Sequence, residues 1–330
     1  MSNQSASMRL GRTGPDVFPL GLGCMGMSGT YGATDDAESI ATIRHAIDRG
    51  FTLLDTGDFY GMGHNELLVR RGIEGVRDRL QISVKFGALR GPDGKWLGLD
   101  TRPAAVKTFA AYSLKRLGLE VIDIYRPARL DPSVPIEETI GAIGDLVKAG
   151  YVRHVGLSEV GVETIRRANE VQPIVDVQIE YSLASRAPEA SIFPALAEMG
   201  ISATLYGVFS RGLLTGSKSS GATDIRQYLP RFAGDNGVRN AGIVDGIRRF
   251  AAARDMTPAQ LTLSWVRAKQ PSFLPLVGVR NRAQVDDALG ALEKPLSAND
   301  IAALDALVAA QAIAGPRYTA EQMAHLDSER

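Results

Sequence analysis

The chain is short of several things at once. Its single cysteine, Cys24, cannot form a disulfide within the chain. Nothing near Cys24 has the spacing of a metal site or the basic partner of a nucleophile, so it reads as a small buried hydrophobe and no metal is expected. No apolar run of about 20 residues is present to span a bilayer, and no charged-then-apolar leader opens the sequence. The expectation is a cytoplasmic protein with no membrane partner. Neither sign of charge is in excess, with 37 basic against 37 acidic residues and no Lys/Arg run, which argues against nucleic acid or an anionic surface as the main partner. A small-molecule site is what remains. Histidine is scarce as well, with four in 330 residues.

What is present is a repeated alternation. Short apolar runs, "FTLLD" (51–55), "QISVKFG" (81–87), "IDIY" (122–125), "VRHVGLS" (152–158), "VDVQIEY" (175–181), "SATLYG" (202–207) and "LPLVG" (274–278), follow a first one near 19–23. Amphipathic stretches lie between them, such as 35–50, 103–118, 135–150 and 161–171, several closed by a glycine suited to a helix C-cap. About eight strand–helix units in roughly 300 residues is the count that closes a TIM-type barrel. The predicted fold is therefore α/β, a single (β/α)8 TIM barrel domain over 1–330 with no visible linker. Three segments fall outside the repeat: an N-terminal β-hairpin at about 8–18, a long loop at about 207–240 without clear periodicity, and a C-terminal helix and polar tail at about 297–330. The tail after Gly315 is expected to be partly mobile.

"GLGCMG" (21–26) matches the glycine spacing of a Rossmann turn. The match is poor, because "MSGTYGATDD" separates the glycines from the next helix and Asp55 arrives too late to meet a ribose. In a barrel, the strand ends and the loops after them build the site, and there stand Asp55, Tyr60 and Lys85. A Lys⁺ beside a phenol favours the phenolate and lowers the Tyr pKa from about 10, while a carboxylate holds the Lys charged and oriented. That constellation suits carbonyl reduction. Singly, each residue also has a plainer reading: Asp55 as a cap, Tyr60 as rim packing, Lys85 as a snorkelling strand end.

Ordered along the chain, "LGLGCMGMSGTYG", "LLDTGDFYGMGHNE", "ISVKFG", "SLKRLGLEVIDIY", "YGVFSRGLLTG" and "VGVRNRAQVDDALGAL" resemble the aldo-keto reductases over nearly the whole length. "KFG", "VPIEET" and "QIEYSL" are similar to the perakine reductase and auxin-induced type within that family. The resemblance implies an NADPH-dependent barrel that reduces a small-molecule carbonyl, with the 207–240 loop covering the cofactor. It makes Tyr60 the proton donor, Lys85 the group that tunes it and Asp55 the partner that orients Lys85. Ser158, Glu159 and Gln178 match the positions that hold the nicotinamide amide, with Glu where an Asn is usual, and Tyr206 matches the residue that stacks on the ring. Ser210, Arg211, Gly212, Leu213 and Lys218 match the pyrophosphate loop, and Gly278, Arg280, Gln284 and Asp287 the adenosine end. Arg280 would pair with a 2′-phosphate and favour NADPH over NADH. Ala288 stands where the family has Asn, so one adenine contact is expected to be lost.

One position departs from the family pattern. "DIYRPARLDP" aligns with a motif that carries a catalytic His, and Ala128 takes its place. Of the four histidines only His64, just after Tyr60, lies near enough to be considered, and a polar loop role is the expectation for it. Losing the imidazole removes a donor to the carbonyl oxygen. Reduction is expected to survive but to slow on small aldehydes. Arg126 or Arg129 is a candidate replacement donor, although for Arg129 a structural pair with Asp131 is the preferred expectation. Met27, Tyr31, Trp96, Ala128 and Arg129 are the candidate substrate pocket, with Phe209 adding to an apolar lining for an aromatic or bulky carbonyl. The rival reading is an NADPH-binding regulatory or redox-sensor protein with little turnover.

Overall fold

The computed structural model describes residues 7–219, 221, 224–309 and 312–330. Two short strands, β1 (Met8–Arg9) and β2 (Asp16–Val17), pair antiparallel as the expected hairpin. Eight parallel strands then close a barrel in the order β3 (Gly21–Gly23), β4 (Leu53–Gly57), β5 (Gln81–Phe86), β8 (Ile122–Pro127), β9 (Val152–Ser158), β10 (Ile174–Glu180), β11 (Ser202–Tyr206) and β12 (Leu274–Gly278), with β12 pairing back to β3. This is the (β/α)8 architecture, and closure leaves no place for a Rossmann crevice at "GLGCMG". The missing numbers belong to a two-stranded ribbon, β6 (Ala88–Arg90) and β7 (Trp96–Leu99), inside the segment after β5 that reads as a plain loop in the sequence.

Helices pack outside: α1 (Asp36–Asp48), α2 (His64–Gly72), α3 (Pro103–Leu117), α4 (Ile136–Lys148), α5 (Val162–Val171), α6 (Ile192–Met199), α7 (Gly234–Ala252), α8 (Pro258–Lys269), α9 (Arg282–Gly290), α10 (Ala298–Leu307) and α11 (Ala320–Met323). Their starts are chemically marked. The Asp35 side chain accepts from the Glu38 N–H, and Thr257 with Gln260 and Ser297 with Asp300 form capping boxes.

The barrel interior is apolar at its floor, where Leu53, Ile124, Leu274 and Leu276 cluster with Leu10 and Val17 of the hairpin. The hairpin thus plugs the end opposite the strand C-termini. Above the floor the interior turns polar, with Ser83, Arg126, Asp176 and Thr204 all buried.

Two expectations need correction. The 207–240 segment is not loop throughout, because α7 begins at Gly234; four glycines in "GDNGVRNAGIVDGIRRFAA" mask its helical periodicity. The tail after Gly315 is docked rather than loose, since Gly161 N–H donates to Asp327 Oδ2 at 2.8 Å and Arg317 is buried.

Candidate active site

At the C-terminal mouth, β4 brings Asp55 and β5 brings Lys85 into a buried ion pair. Asp55 Oδ2 also accepts from Ser83 Oγ and from Gln178 Nε2, each at 2.8 Å. With three donors on it, the carboxylate is fixed in charge and direction. Tyr60 follows in a tight turn through left-handed Gly61 and Met62, and its ring centroid lies 5.3 Å from Lys85 Nζ. Gly57 makes this approach feasible, because a Cβ there would sit 3.3 Å from the Tyr60 ring. The three residues picked from the sequence are therefore together.

Their electrostatics differ from the expectation. Burial pushes the Tyr60 phenol well up, Asp55 and Tyr31 push the same way, and Arg129 opposes them. Lys85 is itself buried, which pushes its ammonium down, and its pairing with Asp55 pulls it back up. The phenol is held as an acid with its proton on, the form a proton donor needs before it reacts.

Ala128 is buried at the strand–loop junction, and His64 is engaged elsewhere, tied to Ser28 Oγ at 3.0 Å and to Asp36 Oδ1 at 3.1 Å. Arg129 does not pair with Asp131, which instead accepts from Ser133 Oγ at 2.6 Å. The Arg129 guanidinium turns to the mouth, donating to Ala128 O at 2.6 Å and to Tyr318 Oη at 3.3 Å.

The amide-binding positions divide. Ser158 Oγ is buried without a hydrogen-bond partner among the described residues, an orphan that suits a polar ligand group. Gln178 is engaged with Asp55. Glu159, in the strained left-handed region at φ 55°, is saturated by other groups: Oε1 accepts from Tyr206 Oη at 2.6 Å and Arg317 Nη1 at 2.8 Å, and Oε2 from Arg317 Nη2 and Ser328 Oγ, both at 2.6 Å. Glu159, which stands where the family's Asn makes the second amide contact, is thus engaged with the tail in this structure. Burial pushes its carboxyl up, but the Arg317 bonds and charge overcome that and hold it well below the usual range.

In the loop after β11, Ser210, Arg211 and Gly212 are all left-handed, at φ 47°, 55° and 88°. For the two non-glycines this costs about 1–2 kcal/mol each. The strain is held by Arg226, which donates to Ser217 Oγ at 2.8 Å and Lys218 O at 2.9 Å, while Leu213 is buried beneath. The Lys218 side chain is exposed. Arg280 lies against Gly26 and donates to Tyr31 O at 3.0 Å, and Gln284 Oε1 accepts its N–H at 2.8 Å. Asp287 accepts from Thr257 Oγ1 at 2.8 Å, and Ala288 is packed in the core. At Gly278 an added Cβ would meet nothing within 4 Å. The orphan Ser158 hydroxyl, the left-handed turn after β11 and the open end of β12 all lie at the C-terminal ends of barrel strands, the chemistry a polar, phosphate-bearing ligand can use.

Among the pocket candidates, Tyr31 is half-buried with the Arg226 guanidinium 5.5 Å from its ring. Met27 has no exposed surface and packs in the main core beside Cys24, whose thiol burial pushes far up. Phe209 also packs against that core. Trp96 stands with Arg90 and His325, its ring 6.1 Å from the imidazole, so it joins the ribbon to the tail.

The family model for the aldo/keto reductase family matches residues 19–309. The chain is an aldo-keto reductase. A curated relative, "Probable aldo-keto reductase 1" of Glycine max, is 38% identical over 322 residues, covering 96% of this chain and 92% of the relative. Among solved structures, a glycerol dehydrogenase of Gluconobacter oxydans superposes with a TM-score of 0.84 at 26% identity, covering 95% of this chain and 98% of that one. An aldo-keto reductase of Bacillus halodurans in its holo form gives 0.77 at 27% identity, over 93% and 97%. Members of the family are oxidoreductases that use nicotinamide cofactors.

This aldo-keto reductase also holds mouth residues that the sequence does not signal. Glu180 pairs with Arg211 at 2.9 Å and with Arg317 at 3.3 Å, while Tyr318 places its hydroxyl 2.9 Å from that of Tyr206 and its ring 4.3 Å from the Arg211 guanidinium. Only the "EY" ending of β10 hints at a role for Glu180. Nothing in the polar tail marks Arg317 or Tyr318.

Proposed function

We propose that the chain is an NADPH-dependent reductase of aldehydes and ketones in which Tyr60 donates the proton and no histidine assists. The observation that carries this reading is the buried Asp55–Lys85 pair beneath Tyr60 at the barrel mouth. Ser158 would meet the nicotinamide amide, Ser210, Arg211, Gly212 and Leu213 the pyrophosphate, with Lys218 within the same loop, and Gly278, Arg280, Gln284 and Asp287 the adenosine end. When bound, the cofactor supplies a hydride to the carbonyl carbon. Tyr60 gives its proton to the carbonyl oxygen, and Lys85, held charged by Asp55, steadies the phenolate that remains. Tyr206 would bound the ring site through its aromatic face.

Ala128 offers only a methyl group where the family has an imidazole, and Arg129 beside it brings a cation to the strand end. Tyr31 and Tyr318, whose charges are felt at Tyr60, would offer aromatic surface to the substrate, with Trp96 on the ribbon after β5, which supports an aromatic or bulky carbonyl as substrate. "KFG", "VPIEET" and "QIEYSL" support a place near the perakine reductase and auxin-induced type. Cytoplasmic location belongs to the same reading, and among the described residues no helix is long and apolar enough to cross a membrane.

Two substitutions test it. Ala128→His should return a donor to the carbonyl oxygen and raise kcat/KM on small aldehydes by about tenfold or more, while bulky ketones lose because the space is filled. Unchanged kinetics on both classes would show that this position does not face the reacting carbonyl. Arg280→Ala should weaken NADPH binding by about tenfold or more, since a charge-assisted pair to the 2′-phosphate is lost, and leave NADH nearly unaffected. Equal weakening of both cofactors in a fluorescence titration would remove the 2′-phosphate assignment.

The tail lends weight to a second reading. Arg317 and Tyr318 are bonded to Glu159, Glu180 and Tyr206 at the strand ends, a contact that would slow exchange at the site and so suit a protein that binds NADPH and reports on it with little turnover.

A further inference from the structure

Beneath the mouth lies a second buried cation. Arg126 has no exposed surface, and Gly156 on the neighbouring strand makes room for it: a Cβ there would stand 3.1 Å from the guanidinium carbon. Arg126 Nη1 donates to Asp176 Oδ2 at 3.0 Å and to Leu157 O at 3.3 Å, and Nη2 donates to Ser83 Oγ at 3.1 Å. Arg can only donate, so the Ser83 proton must go the other way, to Asp55 Oδ2 at 2.8 Å. Donation thus runs one way from Arg126 through Ser83 to Asp55, which also accepts from Lys85 beneath Tyr60. Thr204 closes its far end on Asp176.

A buried ion pair is weak evidence for stability, because desolvation offsets the attraction. This one is also incomplete, with Arg126 Nε and Asp176 Oδ1 lacking partners among the described residues. On strand β8, Arg126 lies two residues before Ala128 and so shares its face. The strand that lacks the imidazole at its rim carries a permanent cation one step below.

We infer that Arg126 is a positioning residue for this site, holding Asp55 and Lys85 in place and adding positive potential beneath Tyr60 where the histidine is absent. The inference rests on the reading of Tyr60 as the proton donor. Burial pushes the Lys85 ammonium down, Asp55 pulls it up and Arg126 pushes it down again. Other charged or titratable groups facing this assembly are Cys24 from β3's end, His154 on β9, Asp176 on β10, and Arg129, Tyr31 and Tyr318 around Tyr60.

The test compares pH profiles of kcat/KM for the NADPH-loaded wild type, Arg126→Lys, Arg126→Met and Arg126→Gln, with NADPH affinity measured by fluorescence. Removing the cation makes the Tyr60–Lys85 unit hold its proton more tightly, so the alkaline limb of Arg126→Met should rise by about one pH unit and kcat should fall by about tenfold. NADPH affinity should stay at the wild-type value. Arg126→Lys keeps the charge and should leave the limb in place, while Arg126→Gln removes the charge but keeps a donor and should raise the limb as well, which preserves the test should Arg126→Met not fold. An unshifted limb in the folded neutral variant, or a limb moved as far by Arg126→Lys, overturns the inference. Tyr60→Phe separates the two levels: turnover indifferent to Tyr60→Phe overturns the proton-donor reading and the inference with it. Tyr60-dependent turnover with an unshifted limb overturns the inference alone.

Discussion

Replacing Tyr60 by phenylalanine is expected to cut kcat for carbonyl reduction by about a hundredfold or more, because a positioned general acid contributes about 10²–10⁴. The ring stays, so its packing against Phe59 and the end of β4 is kept, and the folded state should be unaffected. NADPH affinity, read by fluorescence titration, should change by less than about threefold, since the lost hydroxyl would meet the substrate oxygen rather than the cofactor. The effect should fall on kcat and leave KM nearly untouched. In this protein the loss should be larger than in a site with a second donor, because at Ala128 no imidazole is present to take over.

The second large effect concerns the tail. Arg317→Met removes the cation that both Glu159 oxygens and Glu180 accept from, leaving two buried carboxylates short of a partner. Breaking a buried pair in this way costs about 3–5 kcal/mol, and thermal unfolding should drop by several degrees. The pH dependence follows from the direction of the Glu159 shift. Its carboxyl is held well below the ordinary 4.5 by Arg317, so the folded state binds fewer protons than the unfolded one there. The stabilisation is therefore complete above pH 4.5 and fades as pH falls below it, and the gap between wild type and variant should narrow in acid. The same variant should free the segment carrying Tyr318, seen as faster proteolytic trimming of the C-terminus. A melting temperature unchanged at neutral pH would show that the tail is not latched through Arg317.

The fold was legible because each strand–helix unit repeats the same signals: a β-rich apolar run, an amphipathic stretch and a closing glycine. Strands β9 and β12 lie where the apolar runs 152–158 and 274–278 place them. Helix α7 was hidden because its glycines dilute the periodicity, and the β6–β7 ribbon because its strands are too short to show alternation. Asp55, Tyr60 and Lys85 were legible as chemistry at strand ends. The phenol's electrostatics were not, because they depend on burial and on Tyr31, Arg129 and Tyr318 arriving from three other segments. Arg317 meets Glu159 across 158 positions of sequence, and a polar tail without period gives no sign of such a partner. Arg126 and Gly156 are both visible in the sequence, but their complementarity appears only when β8 and β9 lie side by side.

The most direct test of the account is NADPH consumption by the wild-type chain across small aldehydes and aromatic or multi-ring ketones, with the alcohol product quantified alongside. The account predicts one alcohol formed per NADPH oxidised, with higher kcat/KM on the bulky ketones than on the small aldehydes. A protein that binds NADPH tightly yet consumes it with no carbonyl in the panel would contradict the account and leave the sensor reading in its place.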